Sequence, residues 1–136
     1  MSELDPTPTI RVIAAVIRVQ DRYLVCQRPL NKRHGGLWEF PGGKMQEGES
    51  RLEAAARELG EELRVMAVAT GAHLHTAGDP GTRYAIEFVE VVISGSPQAV
   101  EHLKIGWRTV SEMARLTFAP ADDAFIRACL LQTGQP

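Results

Sequence analysis

The sequence predicts an α/β domain in which a mixed sheet is covered on both faces by helices. Three observations carry that expectation. Apolar runs of strand length recur along the chain, polar turn clusters join them as hairpins, and two segments carry helical periodicity. The chain has 136 residues, enough for one domain with a single sizeable core. That domain is expected to span 1–136, with residues 1–8 as a flexible lead.

The elements follow in order. Ile10 to Val19, IRVIAAVIRV, is a nearly continuous β-branched run, as expected of a strand buried on both faces. Gln20-Asp21-Arg22 is a polar turn, and Tyr23 to Gln27 resumes as the second strand of a hairpin. Pro29 to Gly36 is a basic loop. Ser50 to Leu63 is a helix opened by a capping box, the Ser50 hydroxyl accepting from the Glu53 amide while Glu53 reaches back. At about 100° per residue, Leu52, Ala55, Ala56, Leu59 and Leu63 share one arc, the expected buried face. Val65 to His75 reads as a strand, Gly78-Asp79-Pro80-Gly81 as a turn, and Tyr84 to Ile93 as the next strand. Lys104 to Val110 holds a short strand around Trp107, with Ser111 as the expected cap of a short helical turn. Ala121 to Leu131 is the final helix, beginning beside Pro120 with Asp122 and Asp123 in its first turn.

Composition limits the function. A hydrophobic share of 44% and a charged share of 24% are ordinary for a soluble globular protein. A formal net charge of −2 argues against a nucleic-acid partner, which calls for a basic surface. No apolar run approaches the roughly 20 residues that cross a bilayer, so no membrane partner is expected. The opening MSELDPTPT has two acids and no basic region, and does not read as a secretory signal. Cys26 and Cys129 lie far apart and lack metal-type spacing. The expectation is two reduced, buried thiols in a cytoplasmic protein.

The stretch EFPGGKMQEGESRLEAAARELGEEL, Glu39 to Leu63, needs a chemical explanation. Glu58, Glu61 and Glu62 crowd one helical turn, and like charges at these spacings repel by roughly 0.2–0.5 kcal/mol per pair. An ordinary solvated helix face places Lys four residues after Glu; here Glu58 is followed at that spacing by Glu62. Three carboxylates on one side of a helix end form a hard-oxygen site suited to Mg²⁺ or Mn²⁺. From spacing alone, a plain acidic surface stands equally open. Pro41-Gly42-Gly43-Lys44 lets backbone approach where a Cβ would obstruct it, and offers a loop carbonyl and a cation to such a site.

Loop and helix together resemble the signature of the Nudix hydrolase family. Gly43, Glu49 and Arg57-Glu58-Leu59-x-Glu61-Glu62 stand at the spacing G-x5-E-x7-R-E-U-x-E-E-x-G-U, where U is apolar. One position departs: Arg64 replaces the second Gly, which would suit a left-handed helix C-cap. The resemblance covers essentially the whole chain and implies a mixed sheet sandwiched between helices. It also implies divalent-metal hydrolysis of a nucleoside diphosphate linked to another group. Carried over, it places Glu58, Glu61, Glu62 and the Gly42 carbonyl on Mg²⁺, for which Mn²⁺ can substitute. Glu49 and Arg57 become the pair that orients the helix and its carboxylates.

Within the family the chain resembles the MutT-like branch, which hydrolyses nucleoside triphosphates to monophosphate and pyrophosphate. Glu101, in the loop before the Trp107 strand, matches an additional Glu of that branch, a base or further metal ligand. Arg28 in CQRP matches its phosphate-binding Arg, and LWEFPGGK, with Glu39, Phe40 and Lys44, matches its lead-in to the signature. Trp38 and Phe40 read as core or pocket wall. Asp122 in FAPAD falls on the segment that contacts the base. An ionised Asp122 accepts only, which suits the exocyclic amine of cytosine. A protonated one donates too, and purines return to contention. The wording around Asp122 and Glu101 resembles the CTP and modified-cytosine triphosphatases more than the 8-oxoguanine type.

The expected partner is therefore a small-molecule nucleotide, and the expected assembly a monomer or homodimer. An 8-oxo-dGTP diphosphatase and a nucleotide-binding module without turnover are the alternatives. The second is disfavoured because Arg57, Glu58, Glu61 and Glu62 are all present. Pro80 lies near the marker proline of ADP-ribose hydrolases but explains itself as part of a turn. His73 and His75 read as pocket or surface residues and His34 as an aid to phosphate attraction, while His102 has no assigned role.

Overall fold

In the computed structural model, residues 9–131 are described, so the expected flexible lead at 1–8 lies outside the described residues. The elements run β1 (Ile10–Val16), β2 (Arg18–Val19), β3 (Arg22–Gln27), β4 (Trp38–Glu39), β5 (Gly42–Lys44), α1 (Arg51–Leu63), β6 (Met66–Gly78), β7 (Tyr84–Ser94), β8 (Lys104–Arg108), α2 (Val110–Met113) and α3 (Pro120–Phe125). Helix α3 continues into a π-helical turn over Ile126–Leu130.

The strands divide into two sheets. The first is mixed, ordered β5-β1-β7-β6, with β1 parallel to β7 and the other pairs antiparallel. The second is antiparallel and centred on β3, which pairs with β2, β4 and β8.

Ile13 to Ile17, the middle of the β-branched run, is buried on both faces as expected, whereas the strand breaks after Val16 and Arg11, Arg18 and Val19 are exposed. Ile13, Ala15 and Ile17 join Leu24, Cys26, Val89 and the inner face of α1 in one core cluster. Ala14 and Val16 point the other way, into a second cluster with Phe40, Phe88, Phe118 and Phe125. Strand period two thus distributes one segment between two cores.

Four further expectations require correction. Pro41 to Lys44 is not wholly a loop: Gly42–Lys44 forms β5 against β1, with Ala14 opposite Gly42. A Cβ on Gly42 would run into the Ile13 carbonyl, so glycine permits this pairing. Helix α1 packs against β5 as well as β6, which rotates its buried face: Ala54, Ala55, Leu59 and Leu63 are buried, while Leu52 and Ala56 are exposed. The cap of α2 is Thr109, in a capping box with Glu112, and Ser111 lies inside the helix. Both cysteines are free, yet only Cys26 is buried; Cys129 is half-buried beside the Leu74 carbonyl.

Candidate active site

A cavity of about 540 Å³ opens between the two sheets, within the range of small-molecule sites. Its walls come from distant parts of the chain: β5 with the C-terminal half of α1, the basic loop 28–37 with β4, the segment leading into α3, and positions on β1, on β7 and the turn before it, and at Glu101 and His102.

The α1 wall is set by local sequence. Ser50 caps the helix through the Glu53 amide at 3.0 Å, and Glu53 returns the bond to the Ser50 amide at 2.8 Å. Arg57 then ties helix to loop. Its guanidinium donates to both Glu49 oxygens at 2.8 and 2.9 Å, to Glu58 Oε2 at 2.9 Å and to the Lys44 carbonyl at 2.9 Å. The Arg57 bonds, with one from the Gln46 amide, hold the Glu49 carboxyl down at about 2. The fork leaves Glu58 half-buried over Gly43, where a Cβ would collide with its carboxylate.

At the end of α1, Glu62 behaves differently. Burial, then the neighbouring charges of Glu58, Glu39 and Glu101, push its carboxyl up to about 9, offset only in part by the Gly42 amide. Its Oε1 is buried without a hydrogen-bond partner. The helix stops at Arg64, which adopts the left-handed conformation (φ 59°, ψ 37°) that glycine would take more cheaply. The freed carbonyls of Leu63 and Glu62 accept from the Gln98 and Val100 amides, and this brings Glu101 to the cavity.

The far wall depends on tertiary pairing. Strand β4 is flanked by residues 117–119: the Trp38 amide donates to Thr117 and the Ala119 amide to the Trp38 carbonyl, both at 2.9 Å. Asp122 is thereby set beside Phe40, whose amide donates to Oδ2 at 2.9 Å. Burial, then Glu39, pushes the Asp122 carboxyl well above its ordinary value, against the smaller opposing effect of the Phe40 amide. The push is towards the protonated form, the alternative in which purines return to contention. With Oδ2 accepting from the amide, a protonated Asp122 has its hydroxyl to donate.

Glu39 joins the walls. Its Oε1 accepts from Arg28 at 2.8 Å and its Oε2 lies 3.0 Å from His102 Nε2. Lys44 stands over the Tyr84 ring, 5.3 Å from its centroid.

The family profile described as NUDIX domain matches residues 7–129. The chain belongs to the Nudix family. It is 35% identical to the CTP pyrophosphohydrolase of Escherichia coli K12, over 93% of this chain and 96% of that one. It is likewise 35% identical to the putative 8-oxo-dGTP diphosphatase 2 of Mycobacterium tuberculosis H37Rv, over 85% and 84% of the two chains. A structure from a study of MutT from Aliivibrio salmonicida and Vibrio cholerae superposes with a TM-score of 0.76 at 28% identity, covering 92% of this chain and 99% of that one. The protein is a Nudix hydrolase, an α/β enzyme with relatives named as pyrophosphohydrolases and diphosphatases.

Of the residues singled out in the sequence, Arg28, Glu39, Phe40, Gly42, Lys44, Glu58, Glu62, Glu101 and Asp122 all line this Nudix cavity. Glu49 and Arg57 stand behind it. Glu61 is exposed and outside the lining. His73 contacts Thr76 and His75 packs on Phe88 and Phe125, so neither faces the cavity. Sequence reasoning missed His102, whose side chain is 5% exposed with Nδ1 unpartnered, because its partner Glu39 lies 63 residues away in β4.

Nudix hydrolases generally use divalent metal ions. Among the described residues, no group of three or more His, Cys, Asp or Glu stands ready-formed as a metal centre. The residues nevertheless fit one. Glu62 presents a buried oxygen without a partner, and Glu58, Glu39 and Glu101 converge on it with like charge. Such a set requires a cation or a proton.

Proposed function

We propose that the protein hydrolyses nucleoside or deoxynucleoside triphosphates to monophosphate and pyrophosphate with Mg²⁺, cleansing or balancing a cytoplasmic nucleotide pool. The observation that carries this reading is the orphaned Glu62 oxygen in a cavity that Phe40 and Asp122 also line. Glu58 and Glu62, with Glu101 and the Gly42 carbonyl, would hold the ion, and Glu61 would join from the rim. When bound, the ion neutralises polyphosphate charge and activates water. Arg57, fixed by Glu49, aims Glu58 and keeps α1 against the Lys44 carbonyl. Arg28 and Lys44 place positive charge along the path of the phosphates.

Two base classes remain in contention. Likeness to the Escherichia coli CTP pyrophosphohydrolase over most of both chains favours cytosine-type triphosphates. The upward-pushed Asp122 favours a base that offers it an acceptor, and so supports oxidised guanine as a second reading. A panel of CTP, dCTP, 5-substituted dCTP, UTP and 8-oxo-dGTP, scored for pyrophosphate release with Mg²⁺ and with EDTA, tests both. Turnover that persists in chelator removes the metal assignment, and absence of pyrophosphate from every member removes the reaction.

A further inference from the structure

Loop 28–37 carries the cations Lys32 and Arg33 and the imidazole of His34 to the cavity, and its own bonds only partly hold it there. The Gly36 amide donates to the Arg28 carbonyl at 3.0 Å, Arg28 Nε to the Arg33 carbonyl at 2.6 Å, and Gln27 to the Gly36 carbonyl at 3.0 Å. These bonds, with one from the Leu37 amide to the His34 carbonyl at 3.1 Å, hold the loop backbone and leave the Arg33 and His34 side chains to be fixed from outside. The tip is held from across the cavity, by the turn between β6 and β7. Arg33 Nε donates to Asp79 Oδ2 at 3.0 Å, Arg33 Nη2 to the Pro80 carbonyl at 2.9 Å, and His34 Nε2 lies 3.1 Å from Asp79 Oδ1.

Asp79 is well suited to be the fixed partner. Its carbonyl accepts from the Thr82 amide and hydroxyl at 3.1 and 2.7 Å, so the turn is closed on itself. Its side chain is 8% exposed, against 50% for Arg33. Burial alone would raise the carboxyl, yet the bonds from Arg33 and His34 outweigh it and hold it below the ordinary range. The loop tip also carries strain: His34 sits at φ +58°, a conformation that needs an external restraint to persist.

We propose that Asp79 is a positioning residue, a latch that holds the tip of the basic loop over the phosphate end of the cavity through Arg33 and His34. This rests on the triphosphate reading for its substrate, but the latch itself does not. Removing the carboxylate charge frees the tip, so polyphosphate must order it on binding, while the distant chemistry at α1 is untouched. The signature is a rise in KM without a matching fall in kcat.

The test uses Asp79→Asn, Arg33→Gln and the double variant. Without nucleotide, trypsin cleavage after Lys32 and Arg33, followed by mass spectrometry, should be at least tenfold faster in Asp79→Asn than in the parent. With the best triphosphate of the panel, KM should rise about tenfold with kcat within twofold. The double variant should be no worse than the poorer single one, because both remove one contact. An unchanged cleavage rate overturns the latch, whatever the substrate proves to be. A KM that falls overturns it too, since Asp79 would then be competing with polyphosphate for Arg33. So does a kcat that falls with KM unmoved, or additive losses in the double variant.

Discussion

Glu62 and Asp122 line the same cavity, and their environments look alike until hydrogen bonds are considered. Burial is the largest influence on both, and nearby acids push both further upward. Asp122 is tied to a fixed backbone donor, the Phe40 amide. Glu62 also has a backbone donor, the Gly42 amide, but its Oε1 has no partner. An unpaired buried polar atom costs about 1–3 kcal/mol, so it persists where the working state satisfies it. A raised carboxyl therefore does not by itself identify a catalytic group. The orphaned oxygen separates a group awaiting a cation from one that belongs to the wall. Glu87 is the third case: gripped by Arg11 at 2.6 and 2.9 Å and by Arg51 at 3.0 Å, it is held below the ordinary range although it is buried.

The largest expected effect breaks the Glu62 side of this contrast. Glu62→Gln keeps volume and removes a charged ligand, so kcat should fall at least 10²-fold, about 2.7 kcal/mol of barrier. A rise in Tm with Mg²⁺ is expected of the parent and should vanish in the variant, with the metal-free fold intact because the amide matches the neutral acid in size and charge. A near-normal rate, or a retained metal shift, would place the ion elsewhere.

Asp122 tests the other side of the contrast. Asp122→Leu strands the Phe40 amide and should cost about 1–3 kcal/mol by urea denaturation. Asp122→Asn resembles the protonated acid in offering both a donor and an acceptor, so it should change kcat/KM by less than about fivefold and leave the base ranking in place. Loss of cytosine preference in Asp122→Asn would mean that the parent group is ionised when substrate binds.

Glu87 supplies the pH contrast. Because its folded value is depressed, its contribution is full above the unfolded value near 4.3 and is lost as pH falls through the folded one. Both arginines are well exposed, so about 1–2 kcal/mol is expected after screening. The stability gap between parent and Glu87→Gln should be constant from pH 7 to about 5 and shrink below about pH 4. A gap that widens in acid refutes the ion pair as its source.

The smallest effect concerns the end of α1. Arg64→Gly relieves a left-handed side-chain conformation worth about 1 kcal/mol, and should raise Tm by about 4 °C without changing turnover. A lower Tm would show that the Arg64 side chain contributes more than its backbone costs.

The sequence by itself determined what depends on neighbours along the chain. The capping box at Ser50 and Glu53, the β-branched run of β1 and the spacing of Arg57, Glu58 and Glu62 are local, so the signature helix and the Nudix family were legible. Tertiary structure decided the rest, because sheet pairing and burial bring together residues that no spacing rule connects. Gly42–Lys44 became a strand only because β1 lies beside it, and that strand turned Ala54 inward in place of Ala56. Asp122 meets the Phe40 amide 82 residues away, and burial there pushes its carboxyl upward, which its place in the first turn of a helix does not suggest. Asp79 reads as a turn residue, which it is; that its carboxylate also holds Arg33 and His34 follows only from a contact 46 residues distant.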